Sequence, residues 1–145
     1  MKIAMLLSAC SLVMLTACAA TPHMEAKQKP LYDRLGGKDA ITAVVDDFVG
    51  NVAADSRING RFAKTDISRL KAMLVAQICA GTGGPCTYTG RDMRAAHAGM
   101  NVGEGEFGAL VEDLVKTLDK FKVPAQEKSD LLAVLGPMKG DVVGH

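Results

Sequence analysis

The sequence contains no tryptophan, and aromatic residues make up only 4% of its 145 positions. It also lacks an excess of either charge, with 17 Lys and Arg residues against 16 Asp and Glu residues. Proteins that bind nucleic acids usually present a basic surface, often with aromatic side chains on which bases stack. The composition therefore argues against nucleic acid as a partner.

Histidine is scarce as well. His23 and His145 lie towards the two ends of the chain, and only His97 lies in its body. No group of Cys and His has the spacing of a zinc site, and no serine or cysteine motif of a nucleophilic enzyme is present. A single imidazole is nevertheless sufficient to hold a haem iron from one side. The residues alone leave His97 either as such a ligand or as an ordinary structural histidine.

The first 17 residues have the pattern of a secretory signal. Lys2 precedes an uncharged apolar run that ends at Leu15, and this run is shorter than a membrane-spanning helix. The residues LTAC at 15–18 resemble a bacterial lipobox, in which cleavage precedes the cysteine and its thiol carries a diacylglycerol. We therefore expect residues 1–17 to be removed and Cys18 to be lipidated, with ordinary signal cleavage nearby as the alternative.

Residues 18–30 contain two prolines, several polar residues and no hydrophobic periodicity, which predicts a flexible tether. The folded domain is then expected at residues 31–145. We expect the protein in the periplasm, attached to a membrane only through the lipid on Cys18. Because Ala19 rather than an aspartate follows this cysteine, we expect the outer membrane. Removal of the signal takes away one lysine and no acid, so the mature chain has no net charge.

Cysteine usage agrees with export. Cys10 lies in the signal, which leaves Cys79 and Cys86 as a pair in the segment CAGTGGPC. Two thiols joined by so short a glycine-rich turn are expected to form a disulfide in an oxidising compartment, which would contribute about 2–3 kcal/mol to stability. A pair of metal-binding thiolates is the alternative, and it is weaker because no further ligand stands at a suitable spacing.

The body of the chain has the periodicity of helices, and strand patterns are weak. Asp66 has the position of a helix N-cap, and Gly36 and Gly37 would end a short first helix. A segment rich in glycine, at 81–90, predicts one long irregular connection. The sequence thus predicts an all-α domain of five or six helices. The expected helices lie near 31–35, 38–55, 67–80, 92–99, 106–121 and 124–135.

Two of these helices have a clear apolar face that predicts which side chains are buried. The helix after Asp66 carries the stripe Ile67, Leu70, Leu74 and Ile78, with Met73 and Gln77 beside it. The helix at 106–121 carries the face Phe107, Leu110, Val111, Leu114, Leu118 and Phe121.

A haem would need an apolar pocket, aromatic side chains that pack on its plane, and a cation for its propionates. The chain contains residues of these types at suitable places, although they are only permissive. They are Phe48, Phe62, Arg69, Leu70, Met73 and Leu74.

Four motifs in order resemble group I truncated haemoglobins, a family of short globins. The segment LYDRLGG at 31–37 resembles the opening of that family, and DSRINGRFAKTD at 55–66 resembles the segment with its haem-packing phenylalanine, here Phe62. The glycine pair at 83–84 and the run GRDMRAAH at 90–97 resemble the end of the distal helix and the approach to the proximal histidine. The resemblance covers nearly all of 31–143. It implies a two-over-two helical sandwich in which His97 binds the iron.

The resemblance also implies roles for neighbouring residues and the type of haem. Met93 lies one helical turn before His97 and would pack on the same side of the haem. Because the chain has no CxxCH attachment motif, the haem is expected to be haem b, held without a covalent bond. The residues expected to bind it are Phe48, Phe62, Arg69, Leu70, Met73, Leu74, Met93 and His97, with His97 as the metal ligand.

The chain departs from the family where the gas would bind. Group I globins usually carry Phe-Tyr on the second helix, and the tyrosine donates a hydrogen bond to bound oxygen, whereas this chain has Phe48 and Val49. The distal helix offers Leu70, Met73 and Leu74, which cannot donate either, so oxygen is expected to be held loosely. Gln77 and Tyr88 are the remaining candidate donors.

The leading function is therefore reversible binding of a diatomic gas, such as oxygen, CO or NO, by a monomer, with ligand binding favoured over enzyme activity. NO dioxygenase or peroxidase activity is open to any such haem, and nothing in the sequence selects it. Met73 either fills the pocket wall or binds the iron as a sixth ligand, and the latter would suit electron transfer or redox sensing. A helical lipoprotein without a cofactor is the third interpretation.

Overall fold

The computed structural model describes residues 28–145. The predicted signal, Cys18 and most of the tether lie outside the described residues. Within residues 28–145 there is no β-strand, only an isolated bridge between Val102 and Val143. No helix in this part of the chain combines the length and the apolar character that a membrane span requires. The prediction of an all-α domain is confirmed.

Seven α-helices and two 3-10 turns form the described part of the chain. The short 3-10 turns lie at Asn59–Phe62 and Gly136–Met138. The sequence predicted five or six helices, and the structure has one more than the upper number because the short helix after the Gly136–Met138 turn was not predicted. The α-helices are α1 (Leu31–Arg34), α2 (Gly37–Ala54), α3 (Ile67–Gly81), α4 (Met93–His97), α5 (Glu104–Lys120), α6 (Ala125–Leu135) and α7 (Lys139–Val142).

Local signals explain where several helices begin. Gly36 and Gly37 have φ of 94° and 77°, a left-handed conformation that separates α1 from α2 and favours glycine. Asp66 caps α3, since its side chain accepts the backbone N–H of Arg69 at 3.0 Å. The predicted N-cap of α3 is thus confirmed.

The hydrophobic core lies where α2 packs against α3 and α5, while α1 packs against α2 and α6. Its side chains are the apolar faces of these helices, together with Ile58 from the connection after α2. The core consists of Leu31, Ile41, Val45, Phe48, Val49, Val52, Ile58, Val75, Ile78, Ala109, Leu114, Leu118 and Leu131.

Two residues of the predicted apolar faces are exposed. Ile67 is 39% exposed because it begins α3, and Phe121 is 41% exposed because α5 ends at Lys120. Two polar residues of α5, Asp113 and Thr117, are buried instead.

Thr117 is stabilised there by polar partners on α2. Its hydroxyl donates to Asp47 Oδ2 at 3.1 Å and accepts from Asn51 Nδ2 at 2.8 Å. The interface between α2 and α5 is therefore partly polar, which periodicity of hydrophobic residues does not reveal.

Candidate functional site

His97 is the last residue of α4, a helix of only five residues. Asp92 caps this helix by accepting the backbone N–H of Ala95 at 2.8 Å. The half-buried imidazole donates a hydrogen bond from Nδ1 to the Met93 carbonyl oxygen at 2.7 Å. Because a carbonyl only accepts, Nδ1 carries a proton, and in the neutral imidazole Nε2 is then the nitrogen with the lone pair. Metal-binding histidines are commonly oriented in this way.

One face of α3 is turned towards α4. Gln77 Nε2 donates to the sulfur of Met93 at 3.5 Å and to the sulfur of Met138 at 3.3 Å. These contacts link α3, α4 and the second 3-10 turn through side chains. Leu70 and Met73 precede Gln77 on α3 by steps of seven and four residues, so they share its face.

The exposure of α3 side chains agrees with that orientation. Val75, Ile78 and Cys79 are buried in the core, whereas the face that carries Gln77 is only half-buried. The chemistry of these residues fits a haem, which needs one imidazole nitrogen with a lone pair and an apolar surface for its ring. Residues 28–145 contain no cluster of His, Cys, Asp and Glu that could hold a metal ion by itself. The half-buried face consists of Leu70, Met73, Leu74 and Gln77.

The other predicted haem contacts lie on three further parts of the chain. Phe48 and Val49 belong to the buried core on α2, with 8% and 6% of their surface exposed. Phe62 is half-buried at the end of the first 3-10 turn and packs against that core. Arg69 is exposed in the first turn of α3, as a residue that meets propionates at a rim would be.

Tyr88 has its hydroxyl committed within the loop. The hydroxyl donates to the Arg91 carbonyl oxygen at 2.8 Å, and the ring lies so close to Gly90 that a Cβ there would be 2.3 Å from the hydroxyl oxygen. Tyr88 therefore uses its hydroxyl hydrogen within the loop. Gln77, the other donor predicted from sequence, lies on the face of α3 that is turned towards α4.

Cys79 and Cys86 are joined in the structure, with their Cα atoms 5.7 Å apart. The bond connects the end of α3 to the loop that leads to α4. Gly84 allows the chain to fold back here, since a Cβ at this position would lie 2.4 Å from the Tyr32 ring and 2.7 Å from the Cys79 sulfur.

Arg61 is a residue near the site that sequence reasoning missed. Its guanidinium donates to both carboxylate oxygens of Glu106, at 2.7 and 2.8 Å, and to the Met100 carbonyl oxygen at 2.7 Å. This hydrogen-bonded pairing holds the pKa of the Glu106 carboxyl below its usual value. The only local sequence pattern that involves this pair is the spacing of Gly103 and Glu106, which is typical of the start of a helix.

A surface groove of about 610 Å³ lies on a different side of α3. It is lined by Tyr32, Lys71 and Cys86 among others, and it contains none of the residues predicted to bind haem. The predicted haem residues and this groove are thus separate features of the molecule.

Comparison with known proteins is decisive about the family. Residues 30–143 match the family described as bacterial-like globin. The group 1 truncated hemoglobin of Mycolicibacterium paratuberculosis is 33% identical over 118 residues, which cover 81% of this chain and 87% of that protein. The group 1 truncated hemoglobin of Synechocystis sp. is 36% identical over 110 residues, which cover 73% and 89%.

Solved structures give the same result. The truncated hemoglobin from Tetrahymena pyriformis in its Fe(III) form superposes with a TM-score of 0.78 at 31% identity, over 81% of this chain and 100% of that one. The 2/2 hemoglobin from Synechococcus sp., in the cyanomet state and with covalently attached heme, gives 0.75 at 31% identity, over 79% and 98%. The predicted two-over-two fold is confirmed, and the chain belongs to the bacterial-like globin family, with the truncated haemoglobins.

Proposed function

We propose that this protein binds haem b through His97 and that the haem would hold a diatomic gas reversibly. Membership of the truncated haemoglobins supports haem-based gas binding. The observation that carries the assignment of His97 is the 2.7 Å hydrogen bond from Nδ1 to the Met93 carbonyl oxygen. It fixes the ring and leaves Nε2 as the nitrogen that can bind a metal.

Removal of the imidazole tests this assignment. His97→Ala should lower haem affinity at least a hundredfold and abolish the Soret band of the protein as isolated. His145→Ala is the matched control, since its half-buried ring bonds only the Gly140 carbonyl oxygen at 3.0 Å. If His97→Ala kept its haem with an unchanged spectrum, another residue would be the ligand.

The haem is proposed to be held without a covalent bond, as the missing CxxCH motif suggests. The 2/2 hemoglobin from Synechococcus sp. has covalently attached heme, so extraction distinguishes the two modes of attachment. Acidic butanone extraction should remove all haem from this protein. Haem that stays with the polypeptide and raises its mass would contradict the proposal.

We further propose that oxygen, among the diatomic gases the haem could bind, is held loosely. When bound, haem would supply the iron at which the gas binds, and a hydrogen-bond donor from the protein would help to retain oxygen. Val49, Leu70 and Leu74 cannot donate a hydrogen bond to it, so its release should be fast, whereas CO, which is nearly neutral, should be little affected.

A tyrosine hydroxyl introduced at position 49 on α2 tests whether the lack of a donor makes oxygen release fast. Val49→Tyr should slow oxygen release about tenfold, the effect of a net hydrogen bond of roughly 1.4 kcal/mol. Val49→Phe supplies the same ring without the hydroxyl and should not slow release. Slow release from the unaltered protein would instead indicate a donor already in place, and Gln77→Leu would then identify it.

Electron transfer is the second candidate function, and one observation favours it. Met73 lies on the same half-buried face of α3 as Gln77, so its thioether is available as a sixth ligand. The ferrous protein would then have a six-coordinate spectrum that Met73→Leu converts to a five-coordinate one. A five-coordinate ferrous spectrum before mutation rules this function out.

The proposed location is the periplasmic side of the outer membrane, through a lipid on Cys18. The lipobox-like sequence at 15–18 supports it, and so does the Cys79–Cys86 bond, because disulfides persist mainly in oxidising compartments. Cys18→Ser should release the protein from the membrane fraction, and Cys10→Ser should not. Equal solubility of the native protein and Cys18→Ser would contradict the anchor.

A further inference from the structure

Arg61 connects two segments that carry predicted haem contacts, the turn with Phe62 and the loop that follows His97. It lies in the 3-10 turn Asn59–Phe62, directly before Phe62, and its Nη1 donates to the carbonyl oxygen of Met100 at 2.7 Å. The backbone N–H of Met100 in turn donates to the carbonyl oxygen of His97 at 3.0 Å. Only two hydrogen bonds and one residue therefore separate the guanidinium from the backbone of His97.

The same guanidinium is held in a fixed orientation by α5. Its Nε and Nη2 bond the two carboxylate oxygens of Glu106 at 2.7 and 2.8 Å, a bidentate geometry that only arginine provides. Oε2 of Glu106 also accepts the Gly103 N–H at 2.9 Å, at the start of α5. Arg61 thus ties together the turn of Phe62, the loop after His97 and the first turn of α5.

The helix of His97 needs such an external support. Five residues are too few for a helix that is stable by itself, so the position of α4 depends on its tertiary contacts. None of residues 98–103, which follow it, is buried. Hydrogen bonds from other elements therefore have a large share in holding this loop in place.

We propose that Arg61 is a positioning residue for the haem, which sets the position of the loop after His97 and so determines how firmly the imidazole holds the iron. The inference rests on the proposed function, in which His97 is the ligand. Arg61 is partly exposed, and exposed ion pairs contribute little to global stability. Its effect should therefore appear in the haem site rather than in the stability of the fold.

Arg57 provides the matched control. It lies four residues earlier and also bonds a glutamate of α5, with Nη1 at 2.7 Å from Glu112, but its remaining hydrogen bonds are to Asp55. Arg61→Met and Arg57→Met each remove one ion pair to α5, and only the first removes the hydrogen bond to Met100. Arg61→Lys keeps the charge without the bidentate geometry.

In the holoprotein, Arg61→Met should speed haem loss about tenfold and shift the iron–imidazole stretching frequency. Arg57→Met should change haem loss less than twofold, and the two variants should have similar melting temperatures. Arg61→Lys should fall between Arg61→Met and the native protein. Equal rates of haem loss in Arg61→Met and Arg57→Met would overturn the proposal.

Hydrogen–deuterium exchange of the haem-free protein gives a second readout that does not depend on the ligand. Peptides that cover 98–103 should exchange faster in Arg61→Met and remain unchanged in Arg57→Met. If His97→Ala kept its haem, the proposed function would fail while this difference in exchange would still support the role of Arg61 in the loop. Identical exchange in the two methionine variants would overturn that role whatever the ligand proves to be.

Discussion

The interface between α2 and α5 and the segment 88–103, which carries His97, are held in place by different interactions. In the first region Val45 and Leu118 are each 1% exposed, and Thr117 is fully buried. In the second region no residue is buried. That segment is held by helix caps, by hydrogen bonds from Gln77 and Arg61, and by the backbone bridge to Val143.

The α2–α5 interface mainly stabilises the fold, whereas the segment 88–103 carries the proposed function. Apolar burial is non-directional and contributes most of the free energy of folding, so the helices around α2 can form one stable body. The His97 segment contains no buried residue and is held by directional hydrogen bonds, so it is expected to open more easily than the core. Haem bound there would stabilise the folded state by mass action. Four changes test this contrast, from the largest expected effect to the smallest.

Leu118→Ala should have the largest effect on stability. The side chain is almost completely buried on α5, and its truncation leaves a cavity, so the free energy of unfolding should fall by about 3 kcal/mol. Urea denaturation of the haem-free protein measures this loss. The rate of haem loss should change much less than in Arg61→Met. A loss below about 1 kcal/mol would mean that the core near Leu118 is loosely packed.

Loss of the Cys79–Cys86 bond should come next, because the bond lies at the border of the two regions. Cys79→Ala with Cys86→Ala should lower the free energy of unfolding by about 2.5 kcal/mol, the entropy of closing so short a loop. Haem loss should also become faster, since the loop from α3 to α4 is released. Mass spectrometry of the native protein without reductant should detect no free thiol, and two thiols that alkylate readily would contradict the pairing.

Asp66 and Asp92 cap their helices in the same way, but their replacement by alanine should have different effects on global unfolding. Asp66→Ala uncaps α3 in the core and should cost about 1 kcal/mol in global unfolding. Asp92→Ala uncaps α4 and should leave global unfolding nearly unchanged, while haem loss becomes several-fold faster. Asp66→Ser and Asp92→Ser retain an acceptor and serve as controls. Equal global destabilisation by both alanine variants would show that α4 unfolds together with the core.

Asp113 should have the smallest effect, and its sign depends on pH. Burial, followed by the charge of Asp55, raises the pKa of the Asp113 carboxyl, and Oδ2 has no hydrogen-bond partner. Because the folded-state pKa lies above the unfolded value near 3.8, the contribution of this group to stability is complete below that value. It is lost as pH rises through the folded-state pKa.

Asp113→Asn should therefore stabilise the protein at pH 7 by less than about 1 kcal/mol, because it removes a charge that burial and Asp55 disfavour, and by much less below pH 4. Asp55, Arg57, Glu112 and Lys116 act on the same carboxyl and are unchanged in this variant. Thermal unfolding at both pH values is the measurement. A destabilised variant at pH 7 would mean that the carboxylate has a partner such as a bound water.

The site could be predicted only in part from sequence. His97 and the apolar face of Leu70, Met73 and Leu74 could be named because spacing along a helix is local and the motifs around them follow the family in order. The hydrogen bonds of Arg61 could not, because its partners Met100 and Glu106 lie 39 and 45 residues away along the chain. No pattern in a single sequence encodes a pair at that distance.

The sequence by itself determined the all-α class, the N-cap at Asp66 and His97 as the candidate ligand, because helix periodicity, capping and composition act over a few residues. Tertiary structure decided the rest. Ile67 and Phe121 are exposed although they continue apolar faces, since burial depends on what packs opposite and not on the stripe alone. Likewise, Gln77 faces Met93 and Met138 only because separate elements are brought together by folding. Long-range packing, not local propensity, places this polar amide between the two methionine sulfurs.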